Sequence, residues 1–264
     1  MAFIYDEDVA LRYDAAVPVQ AGEIEFYLEL AREAGDRSLP TLELACGSGR
    51  IAVPLAREGV RLVGLDNSPA MLARAREKSA GLPEVEWIEG DMRAFDLGTA
   101  FGLAIIPSGS FQLLLTTADQ IACLRCVCQH LSPGGRLAFE LENPNMVAMA
   151  EWLTQKRGTL QRRPQRDYRH PVTGNGVYSW GSVEYHPSRQ ASVGWGVTEE
   201  VGERGVVVRR AYGQPMELRY FFRFEVEHLL ARCGLDVEAL YGDFAGSEFR
   251  GSSPAMVWVA RRSL

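Results

Sequence analysis

Apolar runs and helical stripes alternate along the first half of the chain. Residues 40–45 (PTLELA) form a short Leu-rich run suited to a buried strand. Over 48–59, Ile51, Ala52, Leu55 and Ala56 fall on one helical face, and Gly59 ends it. A second strand is predicted over 60–66 (VRLVGLD). A helix follows over 68–81, with Ser68 as its N-cap, Pro69 at its first turn and Gly81 just past its end. Strands at 83–91 and 100–107, a helix over 117–131 ending at SPGG, and a strand at 135–144 continue the series. This spacing predicts βαβ units, hence a parallel sheet whose right-handed crossovers set helices on both faces.

The pattern changes near residue 157. Val177, Ser179, Gly181, Val183 and Tyr185 alternate with Tyr178, Trp180, Ser182 and Glu184, and HPSRQ and GERG read as turns. Three or four antiparallel strands are predicted over 175–219. A helix over 224–234 and closing strands at 235–244 and 254–262 restore the first pattern. The expectation is an α/β fold: a Rossmann-like, mostly parallel seven-stranded sheet with helices on both faces, plus an antiparallel β insertion after strand five. Three regions are expected. They are an N-terminal helical cap (1–35), an α/β domain (36–156 and 220–264), and the insertion (157–219).

Composition narrows the class. The 264 residues carry a net charge of −6, which disfavours nucleic acid as a partner. The acidic start MAFIYDEDVALRYDAA is no secretory signal, and no apolar run is long enough to span a membrane. Five cysteines (Cys46, Cys123, Cys126, Cys128 and Cys233) read as free thiols, and so as a cytoplasmic chain. Cys123 and Cys126 imitate a metal-binding pair but sit at helical spacing with no second pair, so no metal is expected. The basic run Lys156, Arg157, Arg162, Arg163, Arg166 and Arg169 reads as a solvated entrance to the insertion, or as recognition of an anionic small molecule. His130, His170, His186 and His228 offer no clear general base. A monomer or a homodimer fits this composition.

The chemistry concentrates in the turn after strand one, TLELACGSGR (41–50). A glycine-rich turn there is where open α/β sheets bind ligands. A P-loop would need a Lys after the glycines, and position 50 is Arg. A dinucleotide turn matches weakly, with Gly47, Gly49 and then Ala52. Glu43 just before the turn is awkward beside a pyrophosphate and welcome beside a cation. Asp66 ends strand two, where one carboxylate can accept both ribose hydroxyls, and Asp91 ends strand three, where it can accept from an adenine amine. All three acids stand at carboxyl strand ends, which favours S-adenosylmethionine.

LELACGSGR, VGLDNSPAML, EGDMRAF and LSPGGRLAFE together resemble the class I S-adenosylmethionine-dependent methyltransferases. The resemblance spans about 36–142 closely and the C-terminal part more loosely. One departure is Ala45, where many members have Gly. It implies that backbone at Ala45 and Ile106 meets the methionyl amino group, that Cys46, Gly47 and Gly49 shape the turn, and that Asp66, with Asn67, holds the ribose. Asp91 and the Met92 backbone would hold the adenine, with Met71 packed on it. The insertion (157–219) would form a lid on the acceptor side, and Tyr13, Gln112 and Tyr220 are catalytic candidates. Tyr13, Ser110, Phe111, Arg219, Tyr220 and Tyr241 are candidates for substrate contact, with Ser108 also in reach. Methyl transfer to N or O of a small molecule is expected. The alternatives are a tRNA or protein methyltransferase, an NAD(P)-dependent oxidoreductase, and a non-catalytic cofactor-binding module.

Overall fold

The computed structural model describes residues 5–34, 39–154 and 158–263. In chain order come α1 (Glu7–Ala16), α2 (Glu23–Glu33), β1 (Thr41–Leu44), α3 (Ala52–Arg57), β2 (Leu62–Asp66), α4 (Pro69–Lys78), β3 (Val85–Glu89) and β4 (Phe101–Ile106). Then follow α5 (Thr117–His130), β5 (Leu131–Glu142), α6 (Met146–Thr154) and six strands: β6 (Gln161–Arg162), β7 (Tyr168–Arg169), β8 (Gly176–His186), β9 (Ala191–Val201), β10 (Val207–Tyr212) and β11 (Met216–Arg219). The described chain closes with α7 (Arg223–Arg232), β12 (Leu235–Tyr241) and β13 (Ala255–Arg262). These elements fall into two compact units: Val19–Pro144 with Tyr220–Leu264, and Met1–Pro18 with Asn145–Arg219. The helices α1 and α2, read from the sequence as one cap, belong to different units.

The larger unit is built on a seven-stranded sheet of order β12-β13-β5-β4-β1-β2-β3. Strands β1 to β5 run parallel, while β13 runs antiparallel between β5 and β12. Strands β1, β2 and β4 are buried along their whole length, and in β4, covered on both faces, the sequence is an unbroken apolar run. Successive side chains of β4 serve opposite faces. Ala104 and Ile106 pack with Leu42 and Leu44, Leu124 and Val127 of α5, and Val226 and Leu230 of α7. Leu103 and Ile105 pack with Tyr27 and Leu28 of α2 and with Ile51 and Leu55 beside α3. Each buried Leu, Ile or Val among these contributes about 1.5–3 kcal/mol.

Helix α4 starts as the sequence predicts: Ser68 accepts from the Met71 amide at 3.2 Å, with Pro69 in the first turn. Strand β5 begins earlier than predicted. It takes in the SPGG turn, and its pairing with β4 shifts between Phe101 and Leu103.

The smaller unit contains an antiparallel sheet of order β10-β9-β8-β6, with β11 also on β9 and β7 also on β8. The 175–219 region supplies four strands as expected, and the basic stretch adds the short β6 and β7. Its arginines are not all merely solvated. Arg162 pairs with Asp167 (2.7 Å through Nη1) and lies over the rings of Tyr178 and Trp180 at 5.1 and 4.9 Å. Lys156 and Arg157 lie outside the described residues. Helix α6, absent from the sequence reading, follows β5 directly.

Candidate functional site

The turn leaving β1 is forced into an unusual path. Ala45, Gly47 and Gly49 all have positive φ (52°, 55° and 71°), so every second residue is left-handed. A Cβ at Gly49 would stand 2.8 Å from the Trp87 ring and 2.9 Å from Val53, so side chains other than hydrogen are excluded there. At Gly47 a Cβ would meet the end of Met71 at 3.0 Å. Ala45 is the one non-glycine of the three and carries the strain of its conformation, of order 1 kcal/mol.

Backbone bonds stitch the turn down. Cys46 donates to Leu65 O at 3.1 Å, Gly49 to Cys46 O at 2.9 Å, and Val53 to Gly49 O at 3.0 Å. The decisive bond is from the Gly47 amide to Asp66 Oδ2, at 2.8 Å; Ser68 N donates to Oδ1, also at 2.8 Å. A phosphate-binding turn would aim that amide at an anionic ligand. Here the protein's own carboxylate takes it. Each Asp66 oxygen still has a lone pair, which suits two ribose hydroxyls. Asp66 is buried, and desolvation raises its pKa against the lowering by the Ser68, Gly47 and Asn67 amides.

Beneath the turn lies a charge cluster only partly visible in the sequence. Arg50 donates to both oxygens of Glu23, at 2.8 and 2.9 Å, and also reaches Ser108 Oγ in the segment after β4. Glu23 is fully buried and Arg50 nearly so. Glu43 and Glu140 are buried too, at 2% and 5% exposure. Burial pushes each up to about 8; Arg50 opposes the rise, and Glu23 adds to it. Gln20 ties Glu140 Oε1 at 2.9 Å. Three buried atoms of this cluster, Glu43 Oε2, Glu140 Oε2 and Tyr27 Oη, have no hydrogen-bond partner. Such orphaned atoms are costly and mark where a ligand's polar groups would be satisfied. A cation beside Glu43 would also restore its carboxylate form. The residues present therefore fit a cofactor that is cationic at its methionine end and carries a diol further on.

The remaining predicted positions are placed as follows. Ile106 is buried at the end of β4, and Met71 is buried in α4 beside Gly47. Asn67 is exposed and Met92 half-buried. The Asp91 carboxylate is taken by Arg93, through Nη2 at 2.6 Å, and Arg93 also reaches Asp119 at 2.9 Å; the bonds from Arg93 hold Asp91 below the usual carboxylate range. Phe111 is a core ring, 5.5 Å from both Phe139 and Phe221. Ser110 donates to Pro107 O at 2.7 Å, and Tyr241 meets Phe26 edge-on at 6.0 Å. In the smaller unit, Tyr13 meets Tyr5 edge-on at 6.0 Å, and Arg219 donates to Gln190 O at 3.2 Å.

At the end of β5, Tyr220 donates to Glu142 Oε2 at 2.7 Å, and Gln112 Oε1 accepts from the Glu142 amide at 2.9 Å. Glu23, Arg50, Glu140 and Glu142 were not among the candidates that the sequence pointed to. The available signal was an acid at position 140 inside an otherwise apolar run. Among the described residues there is no metal-binding cluster of His, Cys, Asp or Glu, and no helix long and apolar enough to cross a membrane.

Known proteins share this architecture. Residues 41–135 match the methyltransferase domain family. The trans-aconitate 2-methyltransferase of Enterobacter sp. (strain 638) is 30% identical over 205 residues, covering 72% of this chain and 77% of that protein. The dTDP-3-amino-3,4,6-trideoxy-alpha-D-glucopyranose N,N-dimethyltransferase of Streptomyces venezuelae is 32% identical over 120 residues, about half of each chain (46% and 49%). The structure of S-adenosylmethionine-bound CalS10, an amino pentose methyltransferase from Micromonospora echinaspora, superposes with a TM-score of 0.68 at 24% identity, covering 91% of this chain and 90% of that one. The glycine turn, its carboxylate tether and these likenesses converge: the chain belongs to the class I S-adenosylmethionine-dependent methyltransferases.

Proposed function

We propose that this methyltransferase acts in the cytoplasm on nitrogen or oxygen of a small-molecule acceptor. The observation that carries the cofactor side is the Gly47–Asp66 bond, which closes the turn to phosphate while leaving carboxylate lone pairs for a diol. When bound, S-adenosylmethionine supplies a methyl group already activated by its sulfonium. The chain's own work is placement: the left-handed turn brings backbone close, Asp66 holds the ribose, and the Glu43 region receives the methionine end. Orientation and exclusion of water then account for most of the acceleration, because in-line displacement at such a carbon needs little further help. The small acceptor is supported by the trans-aconitate and amino-sugar enzymes among the relatives. The cytoplasmic setting is supported by five free thiols. Calorimetric titration with S-adenosylhomocysteine, followed by a turnover screen read as S-adenosylhomocysteine release, tests this. Micromolar binding with turnover of a metabolite is expected. Binding with turnover only on tRNA or protein would refute the acceptor class.

A further inference from the structure

The carboxyl ends of β1, β4 and β5 form one continuous edge. Arg50, next to Gly49, reaches Ser108 after β4, and Gln112 in the same segment accepts from the Glu142 amide at the end of β5. Pairing of Ile106 with Phe139 places Glu142 beyond the last residues of β4, on the side where such sheets receive ligands. Glu142 is exposed, unlike the acids under the turn. Its position is nevertheless fixed. Tyr220, 4% exposed, donates to Oε2, and the next residue, Asn143, donates to Ser253 O at 2.8 Å and Gly251 O at 3.2 Å. Among the described residues no Lys, Arg or His pairs with Glu142. A carboxylate oriented by a buried phenol, held on a rigid strand end and lacking a cation is built to receive one from solution.

We propose that Glu142, oriented by Tyr220, is the acceptor anchor and general base, and that the acceptor is a small aliphatic amine carried in as its ammonium ion. This rests on the small-molecule methyltransferase reading above. Glu142 takes a proton from the ammonium: the N–H bond breaks, its electron pair stays on nitrogen, and an O–H bond forms on the carboxylate. The nitrogen lone pair then forms the N–CH3 bond while the methyl–sulfur bond breaks and leaves its pair on sulfur as a thioether. The product departs as a methylated ammonium ion, and Glu142 returns its proton to water. Tyr220 is a positioning residue, keeping the free carboxylate oxygen turned to the acceptor.

Glu142→Gln keeps an acceptor for the Tyr220 hydroxyl while removing the charge. Wild-type protein and this variant would be assayed with saturating S-adenosylmethionine against ethanolamine, D-glucosamine and putrescine, and against trans-aconitate and 4-hydroxybenzoate as oxygen acceptors. In parallel, the amines would be titrated calorimetrically onto the S-adenosylhomocysteine complex, which reads acceptor binding without turnover. The proposal expects turnover with at least one amine. In Glu142→Gln, both kcat/KM and amine affinity fall tenfold or more, with S-adenosylhomocysteine affinity and Tm unchanged. Tyr220→Phe gives a smaller loss in the same two readouts. Turnover confined to oxygen acceptors, or amine turnover within threefold of wild type in Glu142→Gln, overturns the inference and leaves the methyltransferase reading standing. Failure of every small acceptor despite cofactor binding overturns both.

Discussion

Replacing Arg50 by Met gives the sharpest test of how the floor of the site is held. The guanidinium makes two bonds, of 2.8 and 2.9 Å, to Glu23, whose side chain is 0% exposed. Without it, Glu23 Oε1 loses this donor, while Oε2 keeps the Gln20 amide at 2.9 Å. The same cation restrains the upward shifts of Glu43 and Glu140. Removing one partner of a buried pair typically costs about 3–5 kcal/mol, because the other charge stays buried without compensation. Arg50→Met should therefore lose about that much stability at pH 7.5. Removing the charge of both partners (Arg50→Met with Glu23→Gln) should return to within about 1.5 kcal/mol of wild type, a coupling of about 2 kcal/mol or more. Urea unfolding followed by circular dichroism, with a common slope for the series, measures wild type, both single variants and the double variant. A single variant losing less than about 1 kcal/mol, or a double variant as unstable as the single, would refute the reasoning.

Three further outcomes follow from the same geometry. Glu43 and Glu140 sit near 8 in the fold against 4.5 when unfolded, so the folded chain binds more protons between those values. Stability should fall as pH rises from about 5 to 8, by up to about 1.4 kcal/mol per pH unit for each group. Glu140→Gln should flatten that slope, and a flat or rising Tm across the range in wild type would contradict it. Ala45→Gly should relieve the left-handed strain and raise stability by about 1 kcal/mol, with urea midpoints as the check. Asp66→Ala should weaken S-adenosylhomocysteine binding by about 2 kcal/mol, roughly thirtyfold in Kd, by calorimetry; an unchanged Kd would remove Asp66 from the site.

The sheet and its ligand edge were legible because each depends on local pattern. Leu42, Leu44 and the run from Phe101 to Ile106 read as buried strands because a strand covered on both faces has few polar positions. Ser68 and Pro69 marked the start of α4 by capping chemistry alone, whereas its end comes earlier than Gly81 suggested, at Lys78 with Ser79 as the C-cap. The Arg50–Glu23 pair was not legible. It joins residues 27 positions apart on different elements, and nothing in either neighbourhood marks them as partners. Glu142 was hidden for a similar reason, since its meaning comes from Tyr220, which lies across the whole inserted sheet in sequence. Phe111 shows the reverse case: its position after β4 suggested a pocket wall, yet packing drew it between Phe139 and Phe221. Asp91 was placed by its strand end, but the partner two residues on, Arg93, claims its carboxylate.

The antiparallel strand β13 also bears on how the chain is made. It is the last strand of the large sheet to leave the ribosome, yet it is an interior one, pairing Trp258 with Phe139 on β5 and with Leu240 on β12. Until it emerges, β5 presents an open edge while more than a hundred intervening residues, a second compact unit among them, are being synthesised. A nascent chain in that state exposes unpaired strand edge and apolar surface, the condition that invites wrong pairing and recruits chaperones. Completion of the sheet therefore waits for β13, and any process that stalls translation before Ala255 leaves the methyltransferase sheet unclosed.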